Sequence, residues 1–390
     1  MGPRTILVRA RDLEIHLRDT DDVSIRRGEV HVQTTTHALS VLAAFSHPRA
    51  LGDVLGGVAA GGQDWIELSS AVHQLVRAAI LIEPGAADPL PRGYARPPIH
   101  AAMLDDHVRT RGFIAALRAI VRETDLVLEI GTGTGVLSTI AAQCASAHVY
   151  SVESSAIADT AARVFAANGV AERVTLVRGR STNIVLPERC NVLVTEMIGN
   201  DPLDEQLLDI VDDAKKRLLT PDARLIPAAI EILAIPVDLP RRVYERRAFT
   251  AERVADWRAM YGVDFAPLLA VRQSTSDPFM VRTSEVVTWT RVAAPVTLAT
   301  IDLTRPFELS FRKHVTFELE RDVERLGLAL AFRATLAPGV VLSTVPDEVD
   351  PQNHWRYGVW PAYDRPSLVR GATATIDYAH GRGKTSLAVS

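Results

Sequence analysis

The sequence predicts an α/β fold: a doubly wound parallel sheet, preceded by a small α+β domain and followed by an antiparallel barrel or sandwich. Three observations carry this. The strand-like runs LVLEIG, HVYSVE, VTLVRG and NVLVTE are separated by amphipathic segments, the alternation that builds a parallel sheet. After residue 229 strand-like runs follow one another with a single helical interruption. Before residue 88, two alternating apolar–polar runs precede three short helical ones. The expected domains are therefore residues 1–88, 89–228 and 229–390, and a chain of 390 residues is long enough for two or three.

In the first region, TILVRARDLEIHL and VSIRRGEVHVQ read as half-buried strands, with RRG breaking the second into a hairpin. HALSVLAAF reads as a helix and SHPRALGDVL as a turn and second helix. In DWIELSSAVHQLVRAAILIE, the residues Ile66, Leu68, Val72, Leu75, Val76 and Ala79 keep helical spacing. PGAADPLPRG supplies a linker. In the third region EILAIPVDL, VTLATIDL, HVTFELE, LGLALAFRATL and ATATIDY read as strands, and RVYERRAFTAERVADWRAMYG as a helical island.

Bulk composition narrows the function classes. With 47% hydrophobic and 23% charged residues the composition is that of a globular protein. A net charge of −4 argues against nucleic acid as the partner. Cys144 and Cys190 have no metal spacing around them and point to a reducing compartment; no metal is expected. No 18-residue apolar run is present, so no membrane span is expected, and the charged start MGPRTILVRARDLEIHLRD does not read as a signal peptide. The expected location is cytoplasmic.

Two motifs carry chemistry. EIGTGTG, from Glu129 through Gly131, Gly133 and Gly135, sits where a strand meets a helix, where glycines admit a ligand to the backbone and a helix N-terminus favours negative charge. The dinucleotide fingerprint fits poorly, since Val136 or Ser138 takes its third glycine slot. Glu153 ends the next strand, where a carboxylate accepts ribose hydroxyls. The second motif, TEMIGNDPLDEQ, ends a buried apolar run with Glu196 and supplies Glu205 nine positions on, a pair suited to a bound cation.

The G-x-G-x-G spacing after an acid resembles the first motif of class I methyltransferases, which bind S-adenosylmethionine. From about Tyr94 onward the chain resembles the protein arginine methyltransferases. HAAMLDDHVR matches the family's H-x-x-M-x-x-D-x-x-R, giving His100, Met103, Asp106 and Arg109, and TEMIGNDPLDE matches its double-glutamate loop. DPQNHW, with His354, resembles its T-H-W loop, and WRAMYGVDF, Trp257 to Phe265, its dimerisation arm, here within about 240–275. The resemblance implies a Rossmann-like domain, a β-barrel and a head-to-tail homodimer. It implies S-adenosyl-L-methionine held by Tyr94, His100, Met103, Arg109, Glu129, Gly131, Gly133, Gly135, Glu153, Ser181 and Thr182. Glu196, Glu205 and His354 become the catalytic residues: the glutamates grip a guanidinium and hold it in line with the sulfonium methyl group, while His354 takes up a proton or pairs with Asp106. Departures fall on the substrate side. Met197, Ile198 and Asn200 stand where arginine-methylating members carry other residues, Leu207 replaces a methionine, Asn353 a threonine, and Thr182 a common glutamate.

The first region resembles the winged-helix-like peptide-recognition modules fused to enzymes that modify ribosomally made peptides. That implies a leader peptide captured as an added strand, in a bacterial natural-product pathway. The expected function is N-methylation of the guanidino group of arginine, peptidyl or free. The alternatives are methylation of an asparagine side-chain amide in a ribosomally made peptide, and a non-catalytic dimeric peptide-binding scaffold.

Overall fold

The computed structural model describes residues 2–10, 13–17, 22–27, 30–59, 65–84, 97–144, 146–271, 278–364, 366–381 and 384–389. Residues 1–99 and 100–390 form two compact units. The linker PGAADPLPRG, Tyr94 and the turn residue Gly28 lie almost wholly or wholly outside the described residues.

In the first unit the run TILVRARDLEIHL yields two strands rather than one, β1 (Ile6–Arg9) and β2 (Glu14–Leu17), which join different sheets. Then come β3 (Asp22–Arg27), β4 (Val30–Thr35), α1 (His37–Ala44), β5 (Arg49–Ala50), α2 (Leu51–Ala59), α3 (Trp65–Arg77) and β6 (Leu81–Ile82). One sheet runs β5-β1-β6 and the other β2-β3-β4. The core closes on Leu68, Val72 and Leu75, where the helical periodicity predicts, packed with Val41, Leu42, Leu7, Ile25 and Phe45. The third helix is shorter than its periodicity suggests. It stops at Arg77, because Ala79 turns into the left-handed region (φ 51°) and Ile80 N–H reaches back to Leu75 O at 2.8 Å. The chain then pairs Leu81 and Ile82 with Arg9 and Val8.

The second unit begins with α4 (Pro97–Asp105) and α5 (His107–Ile120). Next come β7 (Leu126–Ile130), α6 (Val136–Gln143), β8 (His148–Glu153), α7 (Ala158–Ala167), β9 (Val174–Arg178), β10 (Cys190–Thr195), α8 (Leu207–Arg217) and β11 (Leu219–Ile226). Their sheet runs β11-β10-β7-β8-β9 with every neighbouring pair parallel. The order reverses between β7 and β10, so a crevice opens at the carboxyl ends of those two strands. Both chemical motifs leave the sheet there: EIGTGTG after β7 and TEMIGNDPLDEQ after β10.

From β12 (Ala229–Asp238) onward strands are antiparallel. The helical island follows as α9 (Arg241–Glu245) and α10 (Ala251–Tyr261), then β13 (Phe279–Arg282), α11 (Thr283–Val286), β14 (Thr290–Arg291), β15 (Val296–Asp302), β16 (Phe311–Glu318), β17 (Leu326–Ala337), β18 (Val340–Ser343), β19 (Arg356–Pro361), β20 (Thr373–Gly381) and β21 (Lys384–Val389). One sheet runs β13-β19-β17-β12-β14, with β15 on β12 and β18 on β17; a second runs β16-β20-β21. The two sheets curl around a common apolar core. That core is continuous with the parallel sheet: Val192 and Leu193 belong to the same buried cluster as Ile230, Phe332 and Tyr378.

Candidate active site

The glycine turn shows why it holds three glycines. Gly131, Gly133 and Gly135 all take positive φ, of 85°, 54° and 88°. A Cβ on Gly131 would stand 2.7 Å from Met197 Sδ, and one on Gly135 2.6 Å from the Phe165 ring. Behind the turn Glu129 is buried. It accepts bonds from Thr132 Oγ1 at 3.2 Å, from Ser138 N–H at 3.1 Å and from the Ser138 hydroxyl. Burial pushes its carboxyl up to about 8, against the pull of those bonds. Glu129 therefore fastens the turn to the first turn of α6. Thr132 and Ser138, which complete this fastening, carry no signal in the sequence beyond their proximity to the glycines.

Glu153 caps the other side of the turn. Its Oε2 accepts from Gly133 N–H at 2.9 Å and its Oε1 from Ser155 N–H at 2.7 Å. A carboxylate offers about four lone-pair sites, so acceptor capacity is left for ligand hydroxyls.

Above the turn lies α4 and the start of α5. Asp106 caps α5, accepting from Arg109 N–H at 3.0 Å. Arg109 Nη2 donates to Met103 O at 3.0 Å and Nη1 to the Glu196 carboxylate. The Glu196 side chain is only 6% exposed, and burial pushes it up to about 7 even beside the Arg109 guanidinium. Arg109 Nε is buried and finds no hydrogen-bond partner among the described residues. His100, Met103, Arg109, Glu129, Gly131, Gly133 and Glu196 all line one cavity of about 40 Å³. It is narrow because α4 lies over the glycines: a Cβ on Gly133 would stand 3.3 Å from the His100 ring.

The loop after β18 closes the site from the other half of the unit. His354 Nδ1 lies 2.9 Å from Asp106 Oδ2, which also accepts from His354 N–H at 3.1 Å; the two residues are 248 positions apart. Burial would raise Asp106, yet the bonds from His354 and Arg109 hold it below its ordinary value. Burial, with the Arg109 charge, lowers His354, against the pull of Asp106. His354 is thus neutral near pH 7, with Nδ1–H donating to the carboxylate and Nε2 left to take a proton. Next to it Trp355 Nε1 donates to Ile198 O at 2.8 Å, and Arg356 N–H to Asn200 Oδ1 at 2.7 Å. Asn353 Oδ1 accepts from Trp355 N–H at 2.9 Å. The double-glutamate loop is pinned by these bonds and by Gly199, where a Cβ would overlap the Asp204 carboxylate.

Not every expected residue reaches the narrow cavity. Glu205 is half-buried in the turn before α8 and does not line it, nor do Glu153, Ser181, Thr182 and His354. Ser181 is buried, its carbonyl accepting from Arg217 at 2.8 Å, while Thr182 is exposed. Tyr94 lies outside the described residues.

The parallel sheet with its reversed order, the glycine turn and the acid ending β8 are those of the class I methyltransferase fold. Residues 105–230 match the family model for ribosomal protein L11 methyltransferase (PrmA). Protein arginine N-methyltransferase 1 of Schizosaccharomyces pombe is 35% identical over 176 residues, covering 44% of this chain and 49% of the relative. Protein arginine N-methyltransferase 1 of Dictyostelium discoideum is 28% identical over 296 residues, 72% of this chain and 81% of the relative. Among solved structures, the Trypanosoma brucei PRMT1 enzyme–prozyme heterotetrameric complex with AdoHcy superposes with a TM-score of 0.60 at 26% identity, covering 73% of this chain and 88% of that one. The chain is thus similar to protein arginine methyltransferases in both sequence and fold. It spans about half the length of the yeast and Arabidopsis thaliana relatives it matches.

Proposed function

We propose that the chain is an S-adenosylmethionine-dependent N-methyltransferase acting on the guanidino group of arginine, with a peptide arginine as the preferred acceptor. The observation that carries this is the meeting of Glu196, Arg109 and the Asp106–His354 pair above the glycine turn. The donor set fits the cofactor: Glu153 stands ready for ribose hydroxyls, and the orphaned Arg109 Nε–H calls for an anion such as the cofactor's carboxylate. When bound, S-adenosylmethionine supplies an electrophilic methyl group on a sulfonium.

The protein's part is to hold and polarise the acceptor. One Glu196 oxygen engages Arg109, and the carboxylate retains capacity for a second guanidinium. Glu205, from the same loop, completes the grip. Two carboxylates draw positive charge toward the nitrogens they bind and leave the third free to attack in line. As nitrogen gains a methyl group it sheds a proton, for which His354 Nε2 is the acceptor. We also propose a homodimer through the arm of about residues 240–275, and a leader peptide held by the domain of residues 1–88. These fit an enzyme that modifies peptides.

Glu196→Gln is the direct test. The change keeps shape and removes charge, so methyl transfer to arginine and to arginine peptides should fall by on the order of a hundredfold or more. Affinity for S-adenosylhomocysteine, measured by calorimetry, should stay within about threefold, since Arg109 is freed rather than lost. Full turnover in the variant would refute the clamp.

A further inference from the structure

Away from the cofactor crevice, a second cavity of about 440 Å³ opens between α9, β13 and the start of β19. Five arginines line it (Arg242, Arg246, Arg247, Arg282 and Arg356) against a single carboxylate, Glu285. This concentration of positive charge sits in a chain whose net charge is −4. Arg242, Arg246, Arg282 and Arg356 form no ion pair among the described residues. Arg247 is held in place: its guanidinium stacks on the Phe279 ring at 3.8 Å and donates to Val243 O at 3.1 Å. A folded chain does not gain by massing like charges without partners, so such a cluster marks a site for an anion.

The position of the cavity says which anion. Arg356 follows His354 by two residues, and its backbone N–H bonds Asn200 of the double-glutamate loop at 2.7 Å. The cavity wall is therefore continuous with the loop that holds the acceptor. At roughly 3.3 Å per residue, an extended peptide leaving that loop reaches the arginines within a few residues. β13 is also the terminal strand of its sheet, with Met280 exposed on it. Guanidinium forks suit carboxylates, which they bind bidentately.

Building on the arginine methyltransferase reading, we propose that this cavity binds acidic residues flanking the acceptor arginine, and so selects peptides with a cation between anions. The clamp carboxylates take the acceptor; the arginine cavity takes its neighbours. A substrate uniformly rich in arginine would be repelled from the cavity, and this sets the class of acceptor.

The test uses the full chain and two synthetic peptides, each with one arginine flanked on both sides by glutamates or, in the second, by glutamines. Steady-state methyl transfer and fluorescence anisotropy without cofactor are measured for both. The glutamate peptide should show a KM lower by on the order of tenfold at low salt, with kcat unchanged and the preference fading as salt screens it. In R242Q/R246Q/R282Q the preference should vanish, while turnover of the glutamine peptide and affinity for S-adenosylhomocysteine stay as in the wild type. Equal KM values in the wild type, or a preference that survives the triple change, would overturn the proposal. Displacement by millimolar inorganic phosphate with no difference between peptides would assign the cavity to phosphate and overturn it too. Arginine-dependent binding of the glutamate peptide without methyl transfer to either would instead leave the anion site standing and remove the arginine methylation on which its role rests.

Discussion

Two carboxyls of the crevice are held in a state that neutral water would not give them. Glu129 moves from 4.5 to about 8 and Glu196 from 4.5 to about 7, both chiefly by burial. A carboxyl whose value rises on folding favours the folded state when protonated. Its contribution is complete below about 4.5 and is lost as pH climbs through 7 to 8. Thermal stability without ligand should therefore decline over that window, as a calorimetric scan series would record. Activity should move the other way, because the clamp works only as a carboxylate. The free-enzyme profile, kcat/KM against pH, should rise through an apparent value near 7. The kcat profile should rise at lower pH, since the bound guanidinium favours the ionised form. His354 is not the source of this limb, as burial places it below its ordinary 6.5. A flat kcat/KM between pH 6 and about 8 would mean that Glu196 is ionised throughout and that its burial is relieved by water.

At the scale of elements, β4 of the first unit has a strand partner on one side only among the described residues. β4 ends its sheet, and Gln74 of α3 donates to the carbonyl of Gln33 at 2.8 Å, so the helix lies beside that strand. A peptide entering as a further strand would bond the backbone of β4 and lay side chains against α3. Peptides chosen from a synthetic array for binding to the full chain should slow hydrogen exchange across Val30–Thr35 by on the order of tenfold. Protection confined to residues 100–390 would contradict the assignment. What the sequence showed of these elements follows from what periodicity can encode. The parallel strands were legible because each is a short apolar run bounded by turn residues, and the crevice because glycines and acids fell at strand ends. The end of α3 was not. Its left-handed cap is Ala79, where glycine is the usual signal, and the β6 pairing that follows depends on β1, about seventy positions away. For the same reason the Asp106–His354 contact could be named only through family resemblance, and the Arg109–Glu196 contact was not expected at all, Arg109 being assigned to the cofactor; spacing along the chain carries no trace of either.

For the molecule as a whole, the arm is what remains without a role inside one chain. α10 is capped at both ends, by Thr250 accepting from Arg253 N–H and by Gly262 in the left-handed region, so it is a stable helix. Yet Val254 is its single buried residue. Its rings pack on each other instead of on a core: Trp257 meets Phe249 and Phe265 edge-on with centroids 6.2 and 6.0 Å apart, and Phe265 meets Tyr261 at 6.4 Å. Met260 and Tyr261 are 66% and 63% exposed, with Val263, Leu269 and Val271 close by in sequence and about half exposed. So many large apolar side chains exposed on one helix and the turn after it are unfavourable in water and mark an interface. The proposed occupant is a second copy of the chain, with each arm on the partner's parallel-sheet domain, an arrangement that would make a closed pair. The wild type should therefore sediment as a dimer at micromolar concentration. M260E/Y261E should shift it to monomer with unchanged far-ultraviolet dichroism, because both side chains leave the monomer's core untouched. Turnover should fall with the dimer if the partner's arm steadies the helices behind the cofactor crevice, and the loss should be reversed as protein concentration rises. A wild-type monomer across that range would leave the exposed rings of the arm to some other partner and refute the dimer.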